Sequence, residues 1–217
     1  MDPLSLVQVR VLGSLIEKDI TTPDYYPLTL NALTNACNQS SNREPVMALG
    51  EQAIVEALNG LRERKLAFMF QGADSRVAKF GHRIAETFEL ARPETAVLCV
   101  LLLRGPQTPG EIRGRTGRMH EFASLEEAEA SLGLLISRTP EALAVKLARQ
   151  PGMKELRYAH LLGGPVNAET VAAGPVEVPY VDPRQERIAK LEAEVAAMRS
   201  ELGELKRELS ELKAQLS

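Results

Sequence analysis

The order helix, helix, helix, hairpin occurs twice along these 217 residues, and that duplication limits the accessible folds more than any other feature. In the first copy, Leu4, Val7, Val11 and Leu15 lie on one stripe of a helix expected from about Pro3 to Glu17, with Asp2 and Pro3 as cap and first helical residue. A second helix is expected from Leu30 to Cys37 and a third from Glu51 to Lys65, carrying Ile54, Leu58 and Leu61. The stretch LAFMFQGADSRVAKFGH then sets two Phe- and Val-rich runs about a Gly-Ala-Asp-Ser turn, which reads as a hairpin.

The order restarts at Arg92. A nearly solid apolar helix begins at Pro93, TPGE (Thr108 to Glu111) opens the next as a capping box, and SLEE (Ser124 to Glu127) opens a third. LAVKLAR, a QPGM turn and KELRYAHLL make the second hairpin. Thr22-Pro23 and Thr108-Pro109 stand roughly 85 residues apart, too long for a solenoid repeat and suited to a duplicated domain. Three helices and a two-stranded wing make the winged form of the helix-turn-helix. The expected architecture is therefore mainly α with small β wings: one winged-helix domain over residues 1–90 and a second over 91–162.

The segments TTPDYYPLTLNALTNACNQSSNREPVM, LLLRGPQTPGEIRGRTGRMHEF and ARQPGMKELRYAHL resemble those of the YceH-like family of uncharacterised bacterial proteins, across roughly Leu4 to Leu162. The resemblance implies tandem winged-helix domains. It assigns no activity and no catalytic residue.

Residues 163–182 lose periodicity and are broken by Pro165, Pro175 and Pro179, which reads as a linker. In residues 183–217, Ile188, Leu191, Val195, Met198, Leu202, Leu205, Leu209, Leu212 and Leu216 then repeat at alternating spacings of three and four, the heptad of a coiled coil. With Ile188 at a, the g positions Arg187, Glu194, Glu201 and Glu208 face Glu192, Arg199, Lys206 and Lys213 at e, every pair opposite in sign in a parallel homodimer. An antiparallel pair would set glutamate against glutamate. A parallel homodimer is the expected self-association.

Composition excludes several function classes. The longest wholly apolar run, Ala96 to Leu103, is far short of the roughly 20 residues that span a bilayer, so no membrane partner is expected. The N-terminal MDPLSLVQVR lacks an export signal, and a cytoplasmic protein is expected. Cys37 and Cys99 sit in helical patterns as buried thiols. His82, His120 and His160 lack metal-ligand spacing, and no phosphate loop or nucleophile motif is present. No enzyme activity, metal or cofactor is expected.

The polar stretch CNQSSNREPV joins helix two to helix three of the first repeat, the turn of the helix-turn-helix, enlarged. A double-stranded DNA contact would use Asn38, Gln39, Ser40, Ser41, Asn42 and Arg43, with Arg62 and Arg64 at the end of helix three and Arg76 and Lys79 on the wing. In the competing reading Asn38 caps helix two, Glu44 pairs locally and Pro45 stops the helix. Arg113, Arg115 and Arg118 form a second basic patch. Against DNA stand the formal net charge of −3 and the third helices, which present Gln52, Glu56, Asn59 and Glu63 in one repeat and Glu126, Glu127, Glu129 and Ser131 in the other. The leading expectation is a dimeric DNA-binding regulator. The alternative is an adaptor that binds another protein through the same fold.

Overall fold

Ser5 decides where the first helix begins. Its hydroxyl accepts from the Gln8 N–H while the Gln8 side chain accepts from the Ser5 N–H, and this capping box starts α1 at Leu6 and carries it to Thr21. The expected start at Pro3 is thereby corrected, because Leu4 N–H is already engaged with the Leu162 carbonyl at 2.7 Å. The computed structural model describes residues 2–72, 77–149, 155–166 and Met198.

After a 3-10 turn at Pro23–Tyr25, strand β1 (Leu28–Thr29) leads into α2 (Leu30–Cys37), capped by the Thr29 hydroxyl. The loop to α3 (Glu51–Glu63) is followed by β2 (Ala67–Phe70) and β3 (Lys79–His82). The three strands form one antiparallel sheet in the order β1-β3-β2, with Leu28 opposite Phe80 and Met69 opposite Phe80 on its other side. Strand β1 is too short to leave an alternating pattern, so the sequence shows only the two-stranded hairpin and the structure adds a third strand to it. A short helix, α4 (Ile84–Thr87), closes this half.

The second half repeats the order. Helices α5 (Arg92–Arg104), α6 (Pro109–Thr116) and α7 (Leu125–Ser137) precede β4 (Ala144–Lys146) and β5 (Tyr158–His160), which pair antiparallel. Thr108 and Glu111 make the expected reciprocal capping box, and the Ser124 hydroxyl accepts from Glu127 N–H. Gln107, just before α6, bridges Tyr158 of β5 through two backbone bonds of 2.9 and 2.7 Å. It thus holds the place in this half that β1 holds in the first.

The two halves share one hydrophobic core, continuous from Leu4 to Leu162. Its centre is the packing of α1, buried from Val9 to Ile16, on α5, buried from Thr95 to Leu103. Gly13 permits the close approach, since a Cβ there would stand 2.9 Å from Leu103 side-chain atoms. Cys99 Sγ lies 3.4 Å from the Gly13 carbonyl across the same contact.

The result is a mainly helical protein with small antiparallel sheets. No helix among the described residues is long and apolar enough to cross a membrane. The chain divides into two compact units, Met1–Val178 and Pro179–Ser217. Within the second, Met198 is described, helical and 55% exposed. The other heptad positions Ile188, Leu191, Val195, Leu202, Leu205, Leu209, Leu212 and Leu216 lie outside the described residues, as do residues 167–182 of the expected linker, Arg76, and the QPGM turn.

Candidate functional site

The loop between α2 and α3 is held from inside by two buried arginines. Arg10 of α1 donates to the carbonyls of Cys37 and Pro45, the two ends of the CNQSSNREPV turn. Arg43 donates through Nε and Nη2 to the Ala36 carbonyl, through Nη1 to the Asn42 carbonyl, and to both carboxylate oxygens of Glu17. Its side chain is 0% exposed. Arg43 is therefore committed inside the protein through its guanidinium. It is a structural cation, because the carbonyls left open at the end of α2 and the carboxylate of α1 together outcompete water for its guanidinium.

The charges of this cluster are set by burial and by each other. Burial pushes the Glu17 carboxyl up, but the hydrogen bonds and charge of Arg43 outweigh that and hold it below the usual carboxylate range. Burial, with Arg43 nearby, brings Arg10 down to about 10. Cys37 is pushed up to about 11 by burial, so it is a neutral thiol at physiological pH.

The other loop residues divide. Asn38 caps α2, and its amide is spent on the two backbone groups of Leu49, at 2.8 and 2.7 Å. The Asn42 side chain accepts from Arg104 of α5, and Glu44 N–H donates to the Leu103 carbonyl at 2.8 Å. The loop is thus sewn to the second half, which sequence distance conceals. Ser40 and Ser41 are exposed and Gln39 is half-buried. Of the remaining cations expected at DNA, Arg64 donates to the carbonyls of Asp2 and Pro3 and tethers the N-terminus, Arg62 is exposed, and Lys79 is half-buried in β3.

Helices α3 and α7 turn acidic faces outward. Glu51, Gln52, Glu56, Asn59 and Glu63 are exposed on α3, with Gln52 hydrogen-bonded to Glu56 at 3.0 Å. On α7 the exposed residues include Glu126, Glu127 and Glu129 together with Leu134, which is 58% exposed. Ser131, read as outward-facing, is instead buried and donates to the Glu127 carbonyl.

The basic patch of α6 is rearranged. Arg113 donates to the carbonyls of Phe122 and Ala123 and holds the turn before α7. Arg115 and Arg118 line a cleft of about 330 Å³ with Arg104 of α5. Nothing in the sequence marks Arg104 as part of this patch, because it ends an apolar helix, where a cation is expected for the helix dipole alone. His82 stands 3.2 Å from the Asp19 carboxylate, His120 packs edge-on against Phe122, and no group of three potential metal ligands occurs among the described residues.

Residues 4–153 match the family described as "Protein of unknown function, DUF480". A UPF0502 protein of Opitutus terrae is 58% identical over 179 residues, covering 82% of this chain and 77% of the relative. UPF0502 proteins of Pelobacter propionicus and Citrifermentans bemidjiense are 53% and 50% identical, over 88% and 87% of this chain and 88% and 86% of their own lengths.

Proposed function

The chain belongs to the DUF480 family, and from that premise we propose that it is a non-enzymatic interaction protein built on two fused winged-helix halves. In this reading it is cytoplasmic, paired through residues 183–217, and binds another protein through the outward faces of its third helices. The recurring order of elements, with Gln107 taking the place of β1, supports the winged-helix assignment. The carrying observation is the fate of Arg43: the one cation of the enlarged turn is neutralised internally, while α3 and α7 offer carboxylates to solvent. Carboxylates repel a phosphate-lined groove and attract a basic protein surface. Leu134, exposed on the same helix as Glu126, Glu127 and Glu129, supplies an apolar point that such a partner would cover.

The second reading is the DNA-binding regulator, and the exposed Ser40, Ser41 and Arg62 favour it, since all three can meet phosphate oxygens. One titration separates the two. Full-length protein mixed with random duplex at low and moderate salt is expected to bind weakly or not at all. Tight binding that falls steeply with salt would establish the DNA reading and remove the adaptor. In parallel, partners retained by the full-length protein as bait should be lost with Glu126→Lys/Glu129→Lys and with Leu134→Asp.

A further inference from the structure

We propose that the cleft between α1, α5 and α6 binds a small phosphate monoester, held by Arg104, Arg115 and Arg118 over a floor of Val100, Leu103 and Met119. The lining carries these three guanidinium groups against the single carboxylate of Glu17, and that carboxylate is already committed to Arg43 on both oxygens. Positive charge is therefore gathered in a concavity.

The partners of each arginine show how much charge is free. Arg104 donates to the neutral Asn42 side chain. Arg118 has no hydrogen-bond or ion-pair partner among the described residues. Arg115 donates to Gln107 Oε1 at 2.8 Å and reaches Glu111 at 3.4 Å, and Glu111 is shared with Arg157 at 3.2 Å. Burial lowers the Arg104 pKa, and the nearby Arg115 charge lowers it further, more than the carboxylates of Glu17 and Glu44 raise it. Such an arrangement is unfavourable in the empty protein and is relieved by an anion.

The shape selects the anion. A volume of about 330 Å³ is at the small end of the range for ligand sites, so a nucleic-acid duplex cannot enter, whereas a compact molecule can. A terminal phosphate carries two charges and three free oxygens, enough for three guanidinium groups; a single carboxylate has two oxygens and suits one fork. The buried Val100, Leu103 and Met119 offer an apolar surface for the rest of the molecule. Gly114 and Gly117 line the same space, and a Cβ on either would meet nothing within 4 Å.

The cleft also touches the loop between α2 and α3. A phosphate at Arg104 would compete with Asn42, whose φ of +59° is maintained while its side chain is bonded there. Occupancy would thus be felt at the turn.

Calorimetric titration of the full-length protein with inorganic phosphate, adenosine monophosphate and succinate, at constant ionic strength, tests this. Saturable binding of a phosphate probe is expected, with Arg104→Gln/Arg118→Gln reducing affinity at least tenfold and Arg62→Gln leaving it unchanged. Gly114→Leu should abolish binding by filling the space without altering charge. Asn42→Gly, which tolerates the positive φ and frees Arg104, should bind at least as tightly as the parent. Circular dichroism on each variant separates loss of the site from loss of the fold. Phosphate probes that show no saturable binding, or that bind the arginine variants undiminished, would overturn the proposal, as would saturable binding of succinate alone.

Discussion

Arg43 and Glu17 form a two-pronged ion pair, Nη1 to Oε1 at 3.1 Å and Nη2 to Oε2 at 2.6 Å, between a loop and a helix 26 residues apart. The guanidinium is sealed from water and the carboxylate nearly so, at 0% and 12% side-chain exposure. Removing Arg43 leaves Glu17 nearly buried with only its 3.6 Å ion pair to Lys18: Arg43→Ala is expected to cost up to about 3–5 kcal/mol, because the carboxylate loses its two-pronged partner and the Ala36 carbonyl loses its donors. Arg43→Lys should recover little, since an ammonium cannot serve both carboxylate oxygens and two carbonyls. Urea unfolding measures both. The pH sign follows from the lowered Glu17 pKa: its contribution is present above the unfolded value and fades as pH falls through the lower folded one, so the gap between parent and Arg43→Ala should narrow in acid.

Gly13 and Gly133 give the same kind of substitution opposite signs. At Gly13 any side chain is driven into Leu103 and Leu102 at the centre of the α1–α5 contact, and Gly13→Val should destabilise by about 1–3 kcal/mol. At Gly133 on exposed α7 a Cβ meets nothing within 4 Å, and Gly133→Ala should stabilise by up to about 1 kcal/mol through helix propensity. Thermal unfolding of the two variants, shifted in the same direction, would contradict the central role given to the α1–α5 approach.

How much of this was readable in advance depended on range. Helix α6 and the start of α7 were legible because their caps lie three residues from what they cap, at Thr108 with Glu111 and Ser124 with Glu127. The solid apolar run of α5 announced a helix buried all round. The role of Arg43 was not legible, because an arginine in a polar loop carries no mark of the glutamate that meets it from another helix. The cleft was half legible: Arg115 and Arg118 are neighbours in sequence, whereas Arg104 joins them only through the packing of α5 and α6. Strand β1 and the Gln107 bridge fell below any periodicity, since pairs of residues have none.

His160 ties stability to pH. Burial brings its pKa down from 6.5 to about 4, and its Nδ1 is sealed from water without a hydrogen-bond partner. The neutral ring is what the fold accepts. The unfolded chain therefore takes up a proton first, so stability is full above pH 6.5, declines as pH falls toward about 4, and changes no further from this group below that. At about 1.4 kcal/mol per pKa unit the total loss is roughly 3.5 kcal/mol at most. His160→Phe should flatten that segment of the stability profile between pH 7 and 4, leaving the acid loss due to Glu17. An unchanged slope would mean that another group titrates there.

Self-association through residues 183–217 is open to a direct test. The full-length protein should be a dimer by light scattering, and a chain ending at Val181 a monomer or far weaker in association. Leu202→Glu/Leu205→Glu should act as the truncation does, by forcing unpaired charge into the seam. Reversing charge is the sharper probe of register. Glu194→Lys, Glu201→Lys and Glu208→Lys together would set lysine against Arg199, Lys206 and Lys213 in a parallel pair, and the homodimer should weaken. In an antiparallel pair the same three changes would set g against g as lysine against lysine, where the parent has glutamate against glutamate, and little should change. The complementary chain with Arg199→Glu, Lys206→Glu and Lys213→Glu should then prefer the first variant over itself, and mixing the two should give a heterodimer. Homodimers of undiminished strength in both variants would exclude the parallel register, and an unchanged mass on truncation would place the dimer contact elsewhere in the chain.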